Sequence, residues 1–189
     1  MNYLFVDTET GGLDADSDSI LSLGCAVASK DKILKTLEIK IKEPCILISG
    51  GLDVNKIDLN EHMKEALTPD EAVKKFLSFA LETPDIYRNE LGKIILFGHN
   101  VYFDIVFIKR LFSFTKYNFK DTFSHRNLDT SSILKYLCFK NILKEDISSL
   151  SSAIKYFGIK GGRRHEASGD AVLTAKLFQE LMKLDMITL

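Results

Sequence analysis

The run YLFV at 3–6 can lower its free energy only by burial, and it leads straight into Asp7 and Glu9. In a strand, residues i and i+2 project to the same face, so the two carboxylates would leave one side of an otherwise apolar element together. Like charges held that close repel, and the usual remedies are protonation, a cationic partner or a bound metal ion. Closely spaced oxygen ligands suit Mg²⁺ or Mn²⁺, which keep waters that a substrate phosphate can replace. The alternative is that the strand ends at Asp7 and both carboxylates sit in solvent.

Two further segments predict strands beside the first. ILSLGCAVA at 20–28 is a largely apolar strand signal, and TLEIKIK at 36–42 alternates Leu37, Ile39 and Ile41 with polar residues. Short connections, one of them the Gly-, Asp- and Ser-rich TGGLDADSDS, make these three an antiparallel meander. Thr68-Pro69-Asp70-Glu71 then reads as a helix N-cap, an N1 proline and an acidic first turn, with Ala72, Val73, Phe76, Leu77 and Ala80 at helical spacing. Further along come a strand at 93–98, a helix at 102–112, and a short strand at 127–130 capping a helix to about 143. A helix at 148–158 closes on Gly158, and a last helix spans about 168–184 with Ala171, Ala175, Phe178, Leu181 and Met182 on one face. The order β-β-β-α-β-α-β-α-α predicts an α/β fold, a mixed sheet flanked by helices.

The chain has 189 residues, the length of one ordinary domain, so 1–189 is expected to form a single domain. Its 25 Lys and Arg against 26 Asp and Glu leave no global positive field, and any nucleic-acid contact must be local. Between Ile147 and His165 there is no acid, while Lys155, Lys160, Arg163 and Arg164 fall inside; that stretch is either a positive patch or a solvated face. Cys25, Cys45 and Cys138 are far apart, with no CxxC pair, which favours a reducing setting. With no long apolar run, the expectation is a soluble, cytoplasmic protein without membrane partners.

Two more acids stand in costly places. Asp104 lies within GHNVYFDIVFI among Phe103, Ile105, Val106 and Phe107, and Asp170 lies in HEASGDAVLTA at the head of the last helix. Taken singly, Asp104 reads as a core acid with a partner and Asp170 as a complement to its helix dipole.

Together, FVDTETGGL, GHNVYFDIVFI and RRHEASGDA resemble the three motifs of the DEDDh exonuclease family, to which the proofreading epsilon subunit of bacterial DNA polymerase III and ribonuclease T belong. DSILSLGCAV, TPDEAVKKFLSF, NLDTSSIL and SSLSSAIKYFGI resemble its connecting elements, so the likeness covers essentially the whole chain. It implies a ribonuclease H-like sheet, three antiparallel strands followed by parallel ones, whose first strand delivers Asp7 and Glu9 to a metal site. It implies that Asp7, Glu9, Asp104 and Asp170 bind two divalent ions, Mg²⁺ or Mn²⁺, and that His165 is the catalytic histidine, taking the proton from the attacking water.

The same resemblance implies that Thr10, Gly11, Gly12 and Leu13 contact the terminal nucleotide, with Leu13 packing on its base and Phe103 beside it; core packing is the alternative for Leu13 and Phe103. Gly11 and Gly12 fit either a close backbone approach to a ligand or a tight turn. His99 and Asn100 would support the site or touch the sugar. From their place just before His165, Arg163 and Arg164 either grip a substrate phosphate or are solvated. One departure is Ser22, where relatives often carry an acid before the hydrophobic-Gly pair. The implied activity is 3′–5′ hydrolysis of single-stranded or frayed DNA ends, releasing nucleoside 5′-monophosphates. The alternatives are RNA 3′-end trimming of the ribonuclease T kind and a proofreading subunit working within a DNA polymerase or repair complex.

Overall fold

The computed structural model describes residues 1–44, 46–50, 57–161 and 166–184. Five strands form one sheet: β1 (Tyr3–Thr10), β2 (Ile20–Ala28), β3 (Ile33–Lys40), β4 (Ile94–Gly98) and β5 (Phe123–Asp129), in the order β3-β2-β1-β4-β5. β1, β2 and β3 pair antiparallel, whereas β4 joins β1 and β5 joins β4 in parallel. This is the mixed sheet that the sequence predicts. The helices among the described residues are α1 (Leu59–Glu65), α2 (Pro69–Leu81), α3 (Tyr102–Ser113), α4 (Phe119–Thr122), α5 (Thr130–Phe139), α6 (Leu150–Tyr156) and α7 (Ala167–Lys183).

β1 sorts its side chains onto two layers. Leu4 and Val6 join Leu23, Cys25, Val27 and Ile39 in a core shared with Ala72, Val73 and Phe76 of α2 and with Ile105, Ile108 and Leu111 of α3. Phe5 faces the other way, with Ala26, Ala28 and Phe97, against Ala171, Ala175 and Phe178 of α7. A strand covered on both faces must be apolar throughout, and all nine residues of β2 are buried. On the α7 side β2 carries only Ser22, Gly24, Ala26 and Ala28, so the helix lies close to the sheet. A Cβ on Gly24 would stand 1.9 Å from the carbonyl carbon of Ala167 and 2.1 Å from the nitrogen of Ser168.

The helix starts follow their capping chemistry. The Glu71 carboxylate accepts from the backbone N–H (2.9 Å) and the hydroxyl (2.7 Å) of Thr68, and Pro69 opens α2. Asp129 Oδ1 accepts from Ser131 N–H at 3.1 Å where β5 becomes α5. Gly158, φ 63°, follows α6 as expected.

Several elements differ from the sequence reading. β1 continues through Asp7 and Glu9 to Thr10, because β2 supplies partners that far, Glu9 opposite Ser22. β3 starts at Ile33 and stops at Lys40, after which Ile41 bridges to Leu67. β5 begins at Phe123 rather than 127, and α5 ends at Phe139 rather than 143, followed by Asn141 at φ 57°. α1, capped by Asp58, and the single turn α4, capped by Asn118, carry no clear apolar period and were not expected. Met182 is 51% exposed and leaves the buried face of α7. Cys25 is buried and Cys138 half-buried, while Cys45 lies outside the described residues. Among the described residues no helix is long and apolar enough to cross a membrane.

Gly24→Ala should push the start of α7 off the sheet and lower stability by roughly 1–3 kcal/mol, the usual cost of overpacking a filled site. A denaturant midpoint unchanged from wild type would show that the close approach is not required.

Candidate functional site

The acids gather at the end of β1. Asp7 and Glu9 leave the α7 side of the strand, a register shift between Glu9 and Thr10 marks a bulge just beyond them, and Asp170 comes from the first turn of α7. One carboxylate oxygen from each lies within 4.8 Å of the other two, and each of the three residues is half-buried. Asp104, in the first turn of α3, is only 4% exposed; its Oδ1 accepts from the Thr8 hydroxyl at 2.8 Å. It stands outside the trio but within its field. The sequence expected a partner for this buried acid and did not identify Thr8.

Electrostatics record the crowding. Burial first, then the charges of Asp104, Asp170, Glu9 and Glu38, push the Asp7 carboxyl well above the usual carboxylate range. Burial also raises Asp104, to about 7, against the lowering effect of its hydrogen bond with Thr8; Glu9 adds to the rise. A cluster of acids that resists ionising by itself is relieved by a hard divalent cation, and an all-carboxylate donor set fits one.

Beside the acids opens a cavity of about 560 Å³, lined in part by Glu9, Thr10, Gly12, Leu13 and Phe103. Leu13 is 87% exposed, so the core-packing alternative fails for it. Phe103 does both things: it packs on the core, 5.0 Å from the Phe107 ring, and lines the cavity. The far wall is Asp18, Ser49 and Gly50, which the sequence reading did not single out.

The glycines of the first motif are explained by the protein's own chain. A Cβ on Gly11 would stand 2.4 Å from the Leu47 carbonyl, and one on Gly12 would stand 2.1 Å from Ser49 Oγ and 2.2 Å from Asp18 Oδ2. Gly11 N–H donates to Ser19 O (2.8 Å), and Ser49 N–H donates to Gly11 O (2.9 Å). Thr10 donates its hydroxyl to Gly12 O at 2.6 Å. The backbone at Leu47 therefore holds position 11 to glycine, and a side chain at position 12 would have to displace those of Ser49 and Asp18, whatever binds in the cavity.

A buried ion pair braces this wall. Glu43, 5% exposed, accepts from Arg110 Nη2 at 3.0 Å, from Ser19 Oγ at 2.8 Å and from Ile20 N–H at 3.3 Å. Arg110 Nη1 donates to the carbonyls of Ala15 (2.9 Å) and Asp16 (3.3 Å). One end of α3 thus carries Phe103 and Asp104 while the other grips the 14–19 loop.

His99 and Asn100 do not line the cavity. His99 Nδ1 is 2.9 Å from Thr130 Oγ1, and Asn100, at φ 57°, donates its N–H to Asp129 Oδ1 at 2.6 Å. They join the start of α3 to the start of α5. Arg163, Arg164 and His165 lie outside the described residues. Of the same basic stretch, Lys155 and Lys160 are exposed.

The family model RNase_T, described as Exonuclease, matches residues 4–178. Among curated proteins the chain is similar to the DNA polymerase III PolC-type of Caldanaerobacter subterraneus subsp. tengcongensis, 25% identical over 181 residues, 96% of this chain and 12% of that protein. It is similar to the 3'-5' exonuclease DinG of Staphylococcus aureus, 25% identical over 191 residues, 99% of this chain and 19% of that protein. It is also similar to the ribonuclease T of Blochmanniella pennsylvanica, 27% identical over 186 residues, 94% of this chain and 82% of that protein. The chain thus spans under a fifth of the first two relatives.

Among solved structures, E. coli Exonuclease I in complex with a dT13 oligonucleotide superposes with a TM-score of 0.75 at 17% identity, covering 96% of this chain and 41% of that one. The nuclease domain of 3'hExo, a DEDDh family member bound to rAMP, gives a TM-score of 0.73 at 14% identity, with 96% and 91% covered. The fold is that of the ribonuclease H-like exonucleases.

Asp7 and Asp104 hold protons more tightly folded than unfolded, so the metal-free folded chain binds more protons between the usual carboxylate range and about pH 7. Their contribution to stability is therefore lost as pH rises through that window. Asp104→Asn should raise the Tm of the metal-free protein at pH 8 by roughly 2–4 °C or more, about 1 kcal/mol for a chain of this size, and do less at pH 5. A variant equally or less stable than wild type at pH 8 would contradict a strained acid.

Proposed function

The chain belongs to the RNase_T exonuclease family, and we propose that it is a metal-dependent 3′–5′ exonuclease acting on single-stranded or frayed DNA ends and releasing nucleoside 5′-monophosphates. The observation that carries this reading is the Asp7, Glu9 and Asp170 trio, with ligand oxygens within 4.8 Å of one another, of which Glu9 also lines a cavity bordered by an exposed leucine and a phenylalanine. Acids that attract cations and apolar groups that hold a base stand side by side there. Residues 1–189 are proposed as one exonuclease domain, working in a reducing, cytoplasmic setting.

Asp7, Glu9, Asp104 and Asp170 would hold two divalent ions, Mg²⁺ or Mn²⁺. When bound, such ions neutralise a scissile phosphodiester and lower the pKa of water. The chain's residues do the rest. Leu13 and Phe103 would sandwich the terminal base, a sequence-tolerant contact, while Thr10, Gly11 and Gly12 shape the backbone beside it. His99 and Asn100 would act by fixing the turn that starts α3. His165 would accept the proton of the attacking water, the role in which histidine is the side chain most often used. Arg163 and Arg164 would hold a substrate phosphate.

A second reading is RNA 3′-end trimming, favoured by the similarity to ribonuclease T over 82% of that protein. The PolC-type similarity in turn supports service beside a DNA polymerase or in a repair complex.

The deciding experiment digests 5′-labelled single-stranded DNA and RNA oligonucleotides of matched sequence with Mg²⁺ or Mn²⁺, with EDTA and Asp7→Asn as controls. A metal-dependent ladder shortening from the 3′ end is expected, and the faster polymer identifies the substrate. Absence of cleavage despite bound metal would overturn the reading. His165→Ala should cut turnover by roughly 10² or more, the scale of a lost general base, while leaving Mn²⁺ binding near wild type; turnover equal to wild type would remove it from the mechanism.

A further inference from the structure

Across β1, β2 and β3 the residues Asp7, Gly24 and Glu38 stand directly opposite one another, Asp7 with Gly24 and Gly24 with Glu38. Residues opposite one another across neighbouring strands share a face, so this row carries a carboxylate, a gap and a carboxylate. The gap is filled by the backbone of Ala167 and Ser168, which occupies the space a Cβ on Gly24 would need. α7 therefore starts over β2, between two acids on the strands that flank it.

The first turn of a helix has backbone N–H groups without an intrahelical acceptor. At α7 the N-cap residue is Glu166, whose side chain makes no capping hydrogen bond, and the Ser168 N–H donates instead to Glu38 Oε2 at 2.6 Å. The acceptor comes from 130 residues earlier in the sequence and from the outermost strand on that side of the sheet. A carboxylate on a helix N-terminal N–H is the stronger kind of hydrogen bond and is favoured by the helix dipole. Two residues beyond Ser168 is Asp170, one of the three acids whose oxygens converge.

We propose that Glu38 is a positioning residue for the metal site: from β3 it holds the first turn of α7 against the sheet and so sets where the Asp170 carboxylate stands relative to Asp7 and Glu9. The inference rests on the metal-dependent reading above. Glu38 is not itself among the converging acids; it acts through the backbone of Ser168. Its charge also bears on Asp7, so the position combines a clamp with a repulsion, and the two roles are separable. Glutamine keeps an oxygen that can accept from Ser168 and removes the charge, whereas leucine removes both.

The test measures Mn²⁺ affinity by electron paramagnetic resonance of the free ion, together with kcat and KM on a labelled oligonucleotide, for wild type, Glu38→Gln and Glu38→Leu. Groups that orient metal ligands typically contribute about 10–100-fold in affinity or activity. Glu38→Leu should therefore bind Mn²⁺ about 10-fold more weakly and lose kcat by a similar factor, with KM unchanged within about twofold, and Glu38→Gln should recover most of both. A general loss of structure would move KM as well and would not be rescued by glutamine. Wild-type Mn²⁺ affinity in Glu38→Leu overturns the clamp, as does a Glu38→Gln as weak as the leucine variant.

If Glu38→Leu does not fold, Ser168→Pro removes the donor from the other side, in a first-turn position that tolerates proline, and should show the same loss. Should wild type bind Mn²⁺ without cutting either polymer, the exonuclease reading fails and the affinity arm alone decides the clamp. A wild type that binds no Mn²⁺ overturns both.

Discussion

Holding four carboxylates within reach of one another costs free energy, and much of this structure can be read as the means of tolerating that cost. Asp7 and Glu9 extend, half-buried, from the end of a strand whose two faces are both covered. Asp104 is sunk in the first turn of α3 and answered by the Thr8 hydroxyl and by backbone hydrogen bonds. Asp170 is brought in by α7, whose N-terminal field favours a negative charge. The raised proton affinity of Asp7 and Asp104, caused by burial and by the neighbouring acids, is the form that cost takes.

Rigidity around the acids comes from polar groups that are fully met rather than from apolar packing alone. Glu43 and Arg110 are an ion pair of the kind that is expensive when incomplete, because a buried charge without its partner keeps its desolvation penalty. Here the carboxylate also takes the Ser19 hydroxyl and the Ile20 N–H, and the guanidinium takes two loop carbonyls. The pair ties α3 to the loop that follows β1, and the cavity lies between them. Asp129 does comparable work at the other end of α3, accepting from Asn100 and Ser131 at once.

How far the sequence discloses all this depends on the range of the forces involved. β2 was legible from end to end because a largely apolar run between turn residues has few other uses. α2 was legible through Thr68, Pro69 and Glu71, whose capping chemistry is local. The acids of β1 were legible as a pair because the strand period is two. α1 was not, since LNEHMKE is polar and too short to show a period. Asp18 and Ser49 gave no signal as a cavity wall, because the segment at 47–50 reaches Gly11 only through tertiary contact. Glu38 looked like the polar half of an alternating strand; that it caps a helix is fixed by cross-strand register, which no local pattern encodes. The roles of Arg163, Arg164 and His165 rest on resemblance, as they lie outside the described residues.

Gly24 has a further consequence for how the sheet finds its pairing. Side chains alternate faces, so sliding β2 by one residue against β1 would bring Leu23 or Cys25 to the place where the backbone of α7 must pass. Either would hold the helix off the sheet and carry Asp170 away from Asp7. The one glycine in an otherwise apolar strand thus acts as a register lock: only the correct alignment leaves a slot for the last helix, and only a docked helix completes the acidic cluster. Errors in strand pairing are read out directly as loss of the site.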